Sequence, residues 1–102
     1  MGEKNLDIDA LSALSSQMGR ERWRALSDVA QVVANYLACH PRVEAVRYPG
    51  LKTDPYFPRA ASELVGGFGP YVAYRSAGEG RLWEADERDA REQVMELERS
   101  LG

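Results

Sequence analysis

Cysteine, histidine and lysine are scarce in this chain of 102 residues: one Cys (Cys39), one His (His40) and two Lys (Lys4, Lys52), against eleven Arg. A single cysteine cannot close an internal disulfide, so the fold has no covalent staple and a reducing compartment suits it. One histidine and one cysteine give no metal-ligand spacing of the zinc type. No apolar run approaches the roughly 18 to 20 residues of a membrane-spanning helix. "MGEKNLDIDA" lacks the apolar core of a secretory signal, which makes the cytoplasm the expected compartment, with no membrane partner. Repeats and low-complexity segments are absent too. The net charge is −3, and the basic residues are interleaved with acids, an arrangement that argues against nucleic acid as a partner.

What the chain does have is the composition of an ordinary globular domain, 44% hydrophobic and 28% charged, and length for one modest core. We therefore expect a single domain over 1–102: a helical region at 7–40, an α/β motif at 42–76 and a C-terminal helix at 84–101. From Asp7 to Ala38, Ile8, Leu11, Leu14 and Met18, then Trp23, Leu26, Ala30, Val33 and Leu37, recur at steps of three and four. That is the stripe of an amphipathic helix, or of two in tandem. Asp7 or Asp9 suits the N-cap, Gly19 marks a break or kink, and Pro41 stops the helix near His40.

"RVEAVRYP" predicts a strand over Val43 to Tyr48, with Val46 and Tyr48 on one face. Pro49-Gly50 is a turn. "LKTDPYFP" is a loop leading into a short helix, about Pro58 to Val65, which Gly66 and Gly67 end. "PYVAYRS" predicts a second strand, Tyr71 to Arg75, and "AGEG" a flexible loop. In the last helix Ala90, Val94, Leu97 and Leu101 form the apolar line, and Arg88, Glu92 and Glu96 are spaced charges on a solvated face. The expected class is α+β, order α-β-α-β-α, with helices packed on a small sheet of two or more strands. Two strands alone leave unpaired edges, so a second copy or a partner chain is expected to complete the sheet.

Each residue with reactive chemistry also has a structural reading. Arg20, Arg22 and Arg24 around Trp23 would suit a phosphate or a base, but arginine stems beside tryptophan more commonly cover apolar surface. His40, at a helix end before Pro41, is read as capping carbonyls rather than acting as a base. Cys39 is read as a small buried or half-buried thiol, without a second histidine to activate it. Gly66, Gly67 and Gly69 lack the Lys and Ser/Thr of a phosphate loop and read as turn geometry.

Residues 27–76 carry a more specific pattern. In order they show Ala30, Val33, Ala34 and Leu37; His40-Pro41-Arg42-Val43; Val46-Arg47-Tyr48-Pro49-Gly50-Leu51; Asp54-Pro55; Gly67-Phe68-Gly69; and "YVAY". This series resembles the start of the C-terminal domain of the Cys/Met metabolism, pyridoxal phosphate (PLP)-dependent transsulfuration enzymes, the family of cystathionine γ-synthase, cystathionine lyases, methionine γ-lyase and O-acetylhomoserine sulfhydrylase. The closing "SLG" at Ser100 to Gly102 echoes a family Ser-Leu-Gly-Gly. Two departures stand out: Asp28 or Val29 where the family has Asn, and Asp54 where it usually has His.

The resemblance implies PLP as the family's cofactor. It also implies that the cofactor lysine, its carboxylate and phosphate partners and the substrate arginine lie outside the matched region. Neither Lys4 nor Lys52 stands in the Ser-x-Thr-Lys context of the family's Schiff base. No catalytic, cofactor-binding or metal residue is therefore carried over. The expected function is that of a truncated or stand-alone relative of this domain, non-catalytic alone, with a packing or oligomerisation role in a homo-oligomer. The alternatives are a fragment or subunit of an active lyase or synthase of sulfur amino acids whose PLP domain is on another chain, and an unrelated small dimeric interaction module.

Overall fold

Gly19 decides how the first forty residues fold. In the computed structural model, which describes residues 7–101, it adopts φ 93° and separates α1 (Ile8–Met18) from α2 (Arg20–Ala38). Such a φ is strained for a residue with a Cβ, so the break falls on glycine. Asp7 is the N-cap, its side chain accepting from the Asp9 N–H at 3.2 Å. The predicted stripe of α2 is its buried face, Trp23, Leu26, Ala30, Val33 and Leu37, joined by Ser27 and Ala34. Cys39 and His40 turn their N–H groups back onto the Tyr36 and Leu37 carbonyls, and Pro41 follows.

The chain continues through β1 (Val43–Arg47), α3 (Phe57–Glu63), β2 (Tyr71–Ser76), β3 (Glu79–Glu84) and α4 (Ala90–Leu101). The sheet is antiparallel throughout, in the order β1-β2-β3. The expected α+β class and its sheet of two or more strands hold, but the third strand, β3, begins in residues read as a flexible loop, and α4 begins at Ala90 rather than Glu84. Both corrections concern "AGEGRLWE". Ala77 and Gly78 take φ of 54° and 78°, the two left-handed residues of a tight hairpin turn, and β3 pairs with β2 along its whole length. Alanine rarely adopts that conformation, so the pair carries little turn signal in sequence.

The late start of α4 has its own cause. The Asp86 side chain turns back on Arg88, accepting its backbone N–H at 2.8 Å. Gln93, 1% exposed, accepts the Asp86 N–H at 3.0 Å and donates to the carbonyls of Asp86 and Arg88 at 3.2 and 2.7 Å. Residues 85–89 are thereby held as a connection instead of a first helical turn. β1 also stops one residue earlier than predicted, so Tyr48 lies beyond the strand and is fully buried while Val46 is half-buried.

Two hydrophobic clusters share α2. One face packs on the sheet and α4 through Leu26, Ala30, Val33, Ala34, Leu37, Tyr48, Val72, Tyr74 and Leu97. Trp23 belongs to the second cluster, with Ile8 and Leu11 of α1 and Ala60 and Leu64 at α3. Helix α2 packs on β1 and β2, and α4 packs against α2. β3 stays mostly exposed, with Leu82 40% accessible.

Candidate functional site

The motif from His40 to Leu51 lies at two polar hubs, one at each end of β1. The first follows the strand. Asp54, with a side chain only 2% exposed, receives Arg47 Nε at 2.9 Å and Arg47 Nη2 at 3.3 Å, the Tyr48 N–H at 3.0 Å and the Tyr56 N–H at 2.9 Å. A buried carboxylate is tolerated only when its oxygens are matched this fully. The bond to Asp54 raises the Arg47 guanidinium above its ordinary pKa, and the same group lies 4.9 Å from the centre of the Tyr56 ring. Arg47 is thus a fixed structural cation.

Tyr48 is locked from the other side. Its hydroxyl donates to the Gly69 carbonyl at 2.8 Å, with the Ser27 carbonyl at 3.3 Å, and burial pushes its pKa far up. Gln31 Nε2 donates to the Gly50 carbonyl at 3.2 Å, tying the Pro49-Gly50 turn to α2.

The glycines 66 to 69 close the loop onto α2. Trp23 Nε1 donates to the Gly67 carbonyl at 3.3 Å and the Gly69 N–H to Ser27 Oγ at 3.0 Å. Gly67 has φ 150°, and a Cβ there would lie 2.3 Å from that of Ser27. These glycines permit close packing against a helix and leave no cradle for a phosphate.

At the other end of β1 the second hub joins α2 to α4. His40, with a side chain 8% exposed, accepts the Arg42 N–H on Nδ1 at 3.0 Å, so its proton sits on Nε2, 3.0 Å from Glu98 Oε1. Tyr36 also donates to Glu98, and Arg42 Nη1 to the Leu101 carbonyl at 3.2 Å. Burial, then the bond to Glu98, pushes the Tyr36 hydroxyl up to about 12. The Tyr36 bond and then His40 hold Glu98 below the ordinary glutamate value of 4.5. The expected capping role of His40 is corrected: neither ring nitrogen meets a helix carbonyl, because the adjacent backbone N–H groups already do.

This hub predicts an acid response. Because Glu98 titrates lower when folded, its contribution is complete above the unfolded glutamate pKa and is lost as pH falls through the depressed folded value. Thermal melts from neutral pH to below 4.5 should show the wild type losing more stability than Glu98→Gln, with the difference confined to the acid end.

The remaining candidates are dispersed. Lys52 is exposed on the turn after Leu51. Lys4, and Gly102 of the "SLG" string, lie outside the described residues. Cys39 is exposed, not buried or half-buried as expected, because it follows the last turn of α2 on the side away from the core. Trp23 is 1% exposed, so its indole is closed to a base or ligand. Arg22 pairs instead with Glu87 at 2.9 Å and Arg24 with Asp28 at 3.9 Å. Among the described residues no group of three or more His, Cys, Asp or Glu could hold a metal ion. No described helix is long and apolar enough to cross a membrane. An open groove of about 500 Å³, lined by Met18, Arg22, Leu26, Glu84, Ala85, Asp86 and Glu87, has the Arg22–Glu87 ion pair on its wall.

Ser27, Gln93 and the Tyr36–Glu98 pair carry no signal in the sequence reading, and Asp54 enters it as part of the family-like Asp54-Pro55 piece and as a departure from the usual His, without its partners. The residues that matter at these hubs are polar groups inside or beside apolar stripes, whose roles depend on partners far away in sequence.

No protein-family model matches the chain. Cystathionine gamma-synthase of Mycobacterium leprae is 39% identical to it over 97 residues, 95% of this chain and 23% of that protein. The chain thus spans about a quarter of the length of this relative. Cystathionine gamma synthase of Xanthomonas oryzae pv. oryzae, solved with aminoacrylate and cysteine, is 33% identical with a TM-score of 0.52, over 57% of this chain and 15% of that one. A Campylobacter jejuni protein described as an O-acetylhomoserine (thiol)-lyase, carrying a pyridoxyl-lysine phosphate, superposes with a TM-score of 0.74 over 78% of this chain and 28% of its own. At 13% identity that likeness speaks for the fold alone. The resemblance carried by residues 27–76 is borne out: in sequence and in its α+β fold, the chain matches part of the PLP-dependent transsulfuration enzymes.

Proposed function

We propose that the chain acts as a packing and subunit-contact element of the transsulfuration type and performs no cofactor chemistry by itself. The observation that carries this reading is how the family-like residues are used. Tyr48, Asp54, Gly67 and Gly69 are each bonded or packed within the domain, and Arg47 is held by Asp54. PLP requires an amine in a shielded pocket, donors for its phosphate and a carboxylate for its ring nitrogen. Lys52 is the lysine among the described residues. It is exposed, and the nearby carboxylate of Asp54 is already committed to Arg47 and two backbone N–H groups. The described residues therefore do not fit the cofactor, and in this reading the family's chemistry belongs to sequence beyond the matched quarter.

Borohydride reduction tests it. Purified chain incubated with PLP, reduced and digested should yield no stoichiometric phosphopyridoxyl-lysine peptide, only the low, scattered labelling of exposed amines. Full labelling of one lysine, lost when that lysine is replaced by arginine, would overturn the proposal.

A further inference from the structure

The two edges of the sheet differ in a way that singles out one contact surface. β1 carries a register shift between Val43 and Ala45, and the two polar hubs anchor its ends. Bulges of this kind blunt an edge against further pairing. β3 has no such irregularity. It pairs with β2 residue for residue from Glu79 to Glu84, five of its six residues are exposed, and Leu82 stands 40% accessible near its middle.

From this we infer that β3 is the edge through which two copies of the chain join, antiparallel about a two-fold axis at Leu82, into one six-stranded sheet. The inference rests on the subunit-contact reading above. A two-fold axis normal to the sheet keeps each side chain on its own face, so paired residues must be an even number of positions apart or identical. Among registers of that kind, centring on Arg81 sets two guanidinium groups directly opposite each other, which is unfavourable. Centring on Trp83 shortens the overlap. Centring on Leu82 pairs five of the six residues, Gly80 to Glu84, and puts no like charges directly opposite. Leu82 meets Leu82 of the second copy, Gly80 meets Glu84, and Arg81 meets Trp83 twice, a pairing suited to cation–π contact. Arg81 is free to make it, since its own partner, Glu79 at 3.1 Å, is an exposed neighbour on the same strand.

Sedimentation velocity over a concentration series, with two substitutions, tests the inference. The wild type should show a concentration-dependent dimer. Leu82→Lys, which places two ammonium groups on the axis, should weaken it about ten-fold or more with an unchanged circular dichroism spectrum. Val32→Lys, at an exposed position on α2, should leave it unchanged. As a measurement independent of that variant's folding, Leu82→Cys in a Cys39→Ser background should oxidise to a covalent dimer, and Val32→Cys in the same background should not. A dimer indifferent to Leu82→Lys and lacking the Leu82→Cys cross-link would overturn the β3 edge while leaving the subunit-contact reading standing. A strict monomer at all concentrations would overturn both.

Discussion

Asp54→Ala should destabilise the domain by about 3 kcal/mol, the largest loss expected from any single polar side chain here. The carboxylate answers four donors, and two of them, the Tyr48 and Tyr56 N–H groups, belong to a backbone that cannot move away without undoing the turn. An unpaired buried donor costs about 1–3 kcal/mol. Arg47 contributes less to the loss because its side chain is 40% exposed and can regain water. For a chain of this length, 3 kcal/mol corresponds to a fall in Tm of at least about 10 °C. Asp54→Asn keeps the shape but loses the charge and half the acceptor capacity, and should fall between alanine and wild type. Urea unfolding of the three proteins checks the order. A variant Asp54→Ala as stable as wild type would show that the turn holds without its carboxylate.

The second large effect is expected at Trp23. Removing a fully buried tryptophan costs about 3–5 kcal/mol, the lost transfer energy plus the cavity left behind. Trp23 is 1% exposed and sits where Ile8, Leu11, Ala60 and Leu64 converge, with its Nε1 on the Gly67 carbonyl. That cluster is separate from the one beneath the sheet, so the damage should be regional. Amide hydrogen exchange on Trp23→Ala should show α1 and α3 losing protection ahead of β1, β2 and α4. Equal loss everywhere would mean that the two clusters unfold as one unit.

How much of this was legible in the sequence depended on whether a feature was local. The α2 stripe, the break at Gly19, the stop before Pro41 and the Pro49-Gly50 turn rest on periodicity or on one residue's backbone preference, and each appears where expected. β3 was hidden because its turn uses Ala77, and because Glu79, Arg81 and Glu84 give an exposed edge strand the look of a loop. The start of α4 was obscured because the side chain that holds residues 85–89 is Gln93, one turn inside the helix. At the hubs, Tyr36, His40 and Glu98 are brought together across roughly sixty residues, a pairing that only the fold creates. The family resemblance supplied the lineage of "HPRVEAVRYPGL", but not the use made of it, as anchors at both ends of one strand.

On this reading the chain folds as a packing unit around those anchors without help from a cofactor. The decisive experiment is urea unfolding with and without PLP, followed at once by far-ultraviolet circular dichroism and by the fluorescence of Trp23 and Trp83, which lie in different clusters. We predict a cooperative transition whose midpoint is unchanged by PLP, since a ligand that binds only the folded state must raise it. A midpoint that climbs with PLP concentration, or a chain without a transition until PLP is added, would mean that the fold depends on the cofactor.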